Sequence, residues 1–224
     1  MHCTILFAYE KGVTIVPQDE QILVVERKVL EKVGLFHGLT TDVDRYLSVI
    51  FDPSVLHFMP RPQAEKDPSF KQLIPYVIIS CNDKYLTYVR GKRAGETRLV
   101  GNRSIGIGGH INPIDNEIPL FDTDYRELYN NAVEREVAEE VSIEASHSDS
   151  IIALLNDDTT EVGSVHLGVV HHWLLDSSAV TKREQMITQM EFMTPSELNG
   201  VRDSMETWSQ FCLDYLTTRN QHTP

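Results

Sequence analysis

Hydrophobic and polar positions follow two periods along the chain, and the changes of period divide it into elements. The apolar run Ile22–Val25 predicts a strand, and Arg27–Val33 a short helix ending at Gly34. Within residues 42–51, Val43, Tyr46, Leu47 and Ile50 fall at helical spacing. Residues 53–68 hold Pro53, Pro60, Pro62 and Pro68, which predicts an irregular connector. After Pro75 the pattern turns β-rich, and residues 76–90 form two runs around Asn82-Asp83, the signature of a hairpin. A helical pattern follows near 125–141. Further strands are expected at Ile151–Leu155, Val165–Leu175 and Gln189–Met193. Thr194-Pro195-Ser196-Glu197 reads as a capping box with proline at the first helical position. Beyond it Met205, Trp208, Phe211, Cys212, Tyr215 and Leu216 mark an amphipathic terminal helix.

Composition narrows the function classes. The 224 residues hold 33 acidic against 20 basic side chains, a formal charge of −13. This length suits one large domain or a domain with an appendage. Such a balance disfavours nucleic acid, whose binding rests on Lys and Arg neutralising phosphates. No apolar stretch approaches the ~18 residues of a membrane span. The opening MHCTILFAYEKG lacks the basic head and long apolar core of a secretion signal. Cys3, Cys81 and Cys212 are scattered and odd in number, which points to a reducing, cytoplasmic compartment rather than a disulfide framework.

The informative stretch is Arg135-Glu136-Val137-Ala138-Glu139-Glu140-Val141. On a helix, Glu139 and Glu140 lie about −60° and +40° around the axis from Glu136, so three carboxylates share one face. Val133, Val137 and Val141, with Ala138, line another and would pack on a sheet. Each like-charged pair at i,i+3 or i,i+4 costs ~0.2–0.5 kcal/mol, and acids near a helix C-terminus oppose its dipole. Arg135 offers one compensating contact, to Glu139. A bound divalent cation would remove the repulsion, and Mg²⁺ favours carboxylate oxygens while retaining substrate phosphates. Taken alone, the heptad could equally be a solvated acidic face.

The surrounding residues resemble the Nudix box. Arg135, Glu136, Val137, Glu139, Glu140 and Ile143 fit its closing pattern, Glu127 stands eight before Arg135 where the pattern has a Glu, and Gly106-Ile107-Gly108-Gly109-His110 is similar to its opening glycine loop. Two departures stand out. Twelve residues are inserted between Gly109 and the box, and Ser142 replaces the closing glycine. Phe58-Met59-Pro60-Arg61 and residues 71–76 resemble a branch of Nudix phosphoesterases with an N-terminal extension.

The resemblance implies an α/β/α sandwich with a mixed sheet over residues 70–224, preceded by an α+β extension over 1–69 acting as lid, sheet edge or dimer element. It implies Mg²⁺ or Mn²⁺ held by Glu136, Glu139, Glu140 and the Gly108 carbonyl, with Gly109 shaping the loop and Arg135 orienting the acidic face through Glu127. The implied reaction is hydrolysis of a diphosphate in a small molecule, a nucleoside diphosphate linked to another moiety. The catalytic base would be Glu139 or a later-loop Glu, for which Glu184 is the candidate. The alternative on the same fold is a catalytically silent nucleotide sensor. An isomerase of isopentenyl diphosphate would need a cysteine near the metal, and only Cys81 could serve.

Six basic residues, Lys84, Arg90, Lys92, Arg93, Arg98 and Arg103, reverse the charge locally ahead of the glycine loop. Most suit a solvated hairpin edge; Arg90 and Arg103 are the substrate-contact candidates, with His110. His166 and His172 would face one side of their strand and His171 the other. Residues 156–160 read as a hairpin turn.

Overall fold

The computed structural model describes residues 20–91, 99–115, 123–184 and 187–220. Its centre is β4 (Phe70–Cys81), which turns through Asn82 and Asp83, both in left-handed backbone (φ 48° and 59°), into β5 (Lys84–Arg90). Both central residues with positive φ give a turn whose twist matches the flanking strands. β4 starts at Phe70, earlier than the run after Pro75 suggests. Gln72 N–H bonds Val165 O at 2.8 Å, so even-numbered amides of β4 face β10 (His166–Leu175), its parallel neighbour. Odd-numbered ones face the other edge, where β1 (Gln21–Glu26) pairs at 70–72 and β7 (Gly106–Ile107) at 77–78. Pro75 sits between those two partners, where its missing N–H costs no ladder bond.

Among the described residues, ten strands join one mixed sheet, with the central order β12-β5-β4-β10-β9-β2. Here β12 is Ile187–Met193, β9 is His147–Asn156, β2 is Gly38–Thr40 and β6, beside β5, is Arg103–Ser104. Helix α4 (Tyr125–Glu140) covers one face through Leu128, Tyr129, Ala132, Val133 and Val137. Ala138, expected on that apolar face, is exposed. Helices α6 (Pro195–Gly200) and α7 (Thr207–Asn220) cover the other face through Leu198, Cys212, Leu213 and Leu216. The architecture is therefore an α/β/α sandwich. The expected capping box of α6 is formed: the Thr194 hydroxyl accepts from Glu197 N–H, and the Glu197 carboxylate accepts from Thr194 N–H.

Residues 20–69 are built into this sandwich. Strand β1 pairs with both β4 and β3 (Leu56–Pro60), and helices α1 (Arg27–Val33) and α2 (Val43–Ile50) bury Leu30, Tyr46 and Ile50 in the core that α4 shares. The expected connector over 53–68 holds β3 and the short helix α3 (Arg61–Ala64) instead. Pro60 closes the strand and Pro62 lies in the first turn of the helix, two places where proline is tolerated.

The turn after β9, which leads into the short helix α5 (Glu161–Ser164), is more than a hairpin turn. Asp158 accepts a forked pair from Arg27 (2.8 and 2.7 Å) and a third bond from Lys71 (2.6 Å), whose side chain is fully buried. Burial holds the Lys71 ammonium below the ordinary lysine range, and its partners hold the Asp158 carboxyl well below the ordinary carboxylate range. No described helix is long and apolar enough to cross a membrane.

Candidate active site

The acidic end of α4 is positioned from both directions. Asp124 caps the helix start, accepting from Arg126 N–H at 2.9 Å and Glu127 N–H at 3.2 Å. At the other end the chain goes straight from Glu140 into extended Val141 (φ −137°) and strand β8 (Val141–Ile143). Ser142 therefore lies in a strand, and no left-handed cap is needed where the box has its glycine. The orphan carbonyls of the last turn find partners on the segment after β11 (Val180–Lys182): Arg183 N–H and Glu184 N–H bond Glu140 O at 3.0 and 3.2 Å, and Arg183 Nη1 bonds Ala138 O at 2.7 Å. This capping brings Glu184 to Glu139 and Glu140.

Glu136 is packed beneath the glycine loop. A Cβ built on Gly109 would lie 2.1 Å from Glu136 Oε2, and one on Gly108 would lie 2.1 Å from the Pro75 carbonyl oxygen. Only glycine permits this double approach. Burial pushes the Glu136 carboxyl up to about 7, against the opposing pull of Arg135. Burial pushes Glu140 further, to about 8, with Arg90 opposing and Glu184, Glu136 and Glu206 adding to the rise. Glu140 Oε2 is buried with no hydrogen-bond partner. Glu184 is raised by burial and by Glu139. Glu139 itself is 58% exposed.

Arg135 organises the cluster. Its Nη1 bonds Glu136 Oε1 at 2.7 Å and reaches Glu139 Oε1 at 3.3 Å, and its Nη2 bonds the His110 carbonyl at 2.9 Å. Its anchor is Asp115, whose buried carboxylate takes Nε at 2.6 Å and Nη2 at 3.1 Å. Glu127, the expected intermediary, is exposed in the first turn of α4, and among the described residues its carboxylate makes no ion pair with Arg135. Two helical turns separate the two residues, while the insertion delivers Asp115 directly onto the guanidinium.

A cavity of about 500 Å³ adjoins the cluster, within the usual range for small-molecule sites. Gly108, Gly109, His110, Arg90, Glu206 and Trp208 are among its lining residues. Glu136, Glu139 and Glu140 are not; they meet its edge through the glycine pair and Arg90. Arg90 pairs with the buried Glu206, which enters α7. Arg103 does not line the cavity. Its guanidinium points along the sheet to Glu191 (3.3 Å) and Thr87 (3.5 Å), so it joins β5 to β12. Lys92, Arg93 and Arg98 lie outside the described residues. A second hollow, lined by Asn82, Asp83, His147 and Leu174, is at the β4–β5 hairpin and holds none of the candidate residues. Cys81 is buried in the core on the α4 side.

The donor set fits a hard dication. Three carboxylates share one helix end, two of them disfavoured as anions by their surroundings, and one buried carboxylate oxygen lacks a partner. Sequence reasoning missed Asp115, Arg183 and Glu206. Asp115 lies in the insertion and Arg183 directly before the candidate Glu184, but neither carries a local signal that distinguishes it from other surface charges.

No family model matches the chain. It is 34% identical to Protein YmaB of Bacillus subtilis (strain 168) over 206 residues, covering 88% of this chain and 98% of that protein. Among solved structures, the crystal structure of Tm1382, provisionally assigned as a Nudix hydrolase, superposes with a TM-score of 0.73 at 30% identity, covering 89% of this chain and all of that one. Whole-chain similarity at this level joins the glycine loop over Glu136 and the acidic end of α4 in one conclusion: the chain belongs to the Nudix hydrolase superfamily, the phosphoanhydride hydrolases.

Proposed function

We propose that the protein hydrolyses the diphosphate linkage of a nucleoside diphosphate joined to another moiety, with Mg²⁺ or Mn²⁺ held by Glu136, Glu139, Glu140 and the Gly108 carbonyl. The observation that carries this reading is Glu140 Oε2, a buried carboxylate oxygen without a partner beside a second carboxyl raised to about 7. Held by these carboxylates, Mg²⁺ or Mn²⁺ would offset their clustered negative charge and would supply polarisation of the phosphoanhydride and a more acidic water. Arg135, locked by Asp115, fixes Glu136 and Glu139 in register with the glycine loop. Either Glu139 or Glu184 would accept the proton of the water as it attacks phosphorus. Arg90 and His110 line the cavity in which the rest of the substrate binds. The proposed catalytic groups all fall within residues 70–224, and residues 20–69, packed into the same sandwich, supply Arg61 to the cavity wall. The setting is cytoplasmic.

A screen of nucleoside diphosphate conjugates and dinucleoside polyphosphates with Mg²⁺ or Mn²⁺ tests this. Expected is metal-dependent release of two phosphate-bearing products, lost in Glu139→Gln and Glu140→Gln. A substrate cleaved at wild-type rate by both variants refutes the assigned roles. Metal and nucleotide binding without products across the screen refutes the hydrolytic reading in favour of a silent sensor.

A further inference from the structure

We propose that Glu65, His110 and His166 form a second cation site, separate from the acidic end of α4 and suited to a zinc-class ion. One potential ligand atom from each of the three lies within 4.8 Å of the other two. They come from three distant parts of the chain. Glu65 follows α3, His110 follows the glycine pair, and His166 opens β10. The two imidazoles face each other at 5.8 Å between centroids and 54° between planes, a convergence rather than a stack.

The hydrogen bonds around the rings are those of a metal site's outer shell. His166 Nδ1 is 2.5 Å from the Val162 carbonyl oxygen, so it donates there. His110 Nε2 is 2.8 Å from the Gln72 side-chain oxygen; as donor there, it leaves the lone pair on Nδ1. Histidines that bind metal usually donate their other ring N–H to an oxygen in this way, which fixes tautomer and orientation. Arg61 pairs with Glu20 at 3.1 Å and with Glu65 at 3.6 Å, which holds the Glu65 carboxylate on the segment beside the two histidines.

Ligand chemistry separates the two sites. Two imidazoles and one carboxylate suit zinc and its neighbours, whereas the all-carboxylate end of α4 suits Mg²⁺. Three protein ligands also leave a position open toward the cavity that His110 and His166 line. An ion here would clamp the α3 segment to the glycine loop and couple cavity shape to metal supply. This inference does not depend on the hydrolase reading.

The test uses the full-length, reduced protein, stripped with chelator, in a Glu136→Gln/Glu140→Gln background that silences the acidic end. Zn²⁺ is titrated against a chromophoric competitor, and Co²⁺ binding is followed by visible absorption. Expected is one equivalent of Zn²⁺ that a large excess of Mg²⁺ does not displace. Glu65→Gln and His166→Ala should each weaken it by at least about tenfold, the size that outer-shell changes alone can reach. Glu65 is only partly buried, so its variant keeps the question answerable if His166→Ala fails to fold. No stoichiometric Zn²⁺, binding unchanged in Glu65→Gln, or a cobalt–thiolate charge-transfer band placing the ion on cysteine would each overturn the proposal. None of these outcomes bears on diphosphate hydrolysis.

Discussion

Replacing Glu140 by glutamine should stabilise the metal-free protein while abolishing its activity. The folded carboxyl is pushed up to about 8 from an ordinary value of 4.5. A carboxyl raised on folding favours the native state below pH 4.5 and loses that contribution as pH climbs to about 8, because the unfolded chain ionises first. At pH 7 the full shift corresponds to at most about 3 kcal/mol, since each pH unit is worth ~1.4 kcal/mol. Glu136, Glu184 and Glu206 share the same local field, so we expect Glu140→Gln to recover about 1–3 kcal/mol at pH 7. For a chain of this size each kcal/mol moves the melting temperature by roughly 2–4 °C. Thermal melts of chelated wild type and variant from pH 4.5 to 8 would show the difference growing with pH. Adding Mg²⁺ at about a hundred times its dissociation constant should stabilise wild type by ~2.7 kcal/mol, enough to close or reverse a gap of this size. A metal-free variant no more stable than wild type at pH 7, or a gain independent of pH, would refute the reasoning.

Three further outcomes follow from the geometry. Gly109→Ala places a methyl group 2.1 Å from Glu136 Oε2, so hydrolysis should fall by at least ~10²-fold, as expected when a reacting group is displaced by about 1 Å, while circular dichroism at 20 °C stays native. Asp115→Asn weakens the anchor of Arg135 and should lower kcat roughly tenfold with little change in KM, since Asp115 does not line the cavity; steady-state kinetics would separate the two. Asp158→Ala leaves Lys71 buried without its carboxylate and should cost about 3–5 kcal/mol in urea unfolding at pH 7. The contribution of Asp158, whose carboxyl is depressed on folding, is present above its unfolded value near pH 4 and fades as pH falls below it.

Elements whose signal is local could be read from the sequence alone. Arg27–Val33 forms the expected helix because Gly34 (φ 124°) ends it, and Asn82-Asp83 forms the expected turn because both tolerate left-handed backbone. The acidic face of α4 was legible because three like charges at one helix end are costly without a ligand. The prolines over 53–68 predict a connector where the chain forms β3 and α3, because proline marks the ends of elements as readily as it marks loops. Asp115 was invisible for a different reason: its role exists only when the insertion folds back on Arg135, a contact 20 residues apart in sequence. Nothing in the sequence around Lys71 marks it for burial, which only the three-dimensional position of Asp158 explains. Arg103 shows the converse. A basic residue leading into the glycine loop suggested substrate contact, but strand alternation turns its side chain toward β12.

The account rests on the acidic end of α4 holding a hard dication, and Mn²⁺ binding followed by electron paramagnetic resonance tests that most directly. Wild type should take up Mn²⁺ in competition with Mg²⁺, more tightly when a non-hydrolysable diphosphate is present, and Glu136→Gln/Glu140→Gln should lose this uptake while keeping its native fold. Equal Mn²⁺ uptake by wild type and the double variant would contradict it.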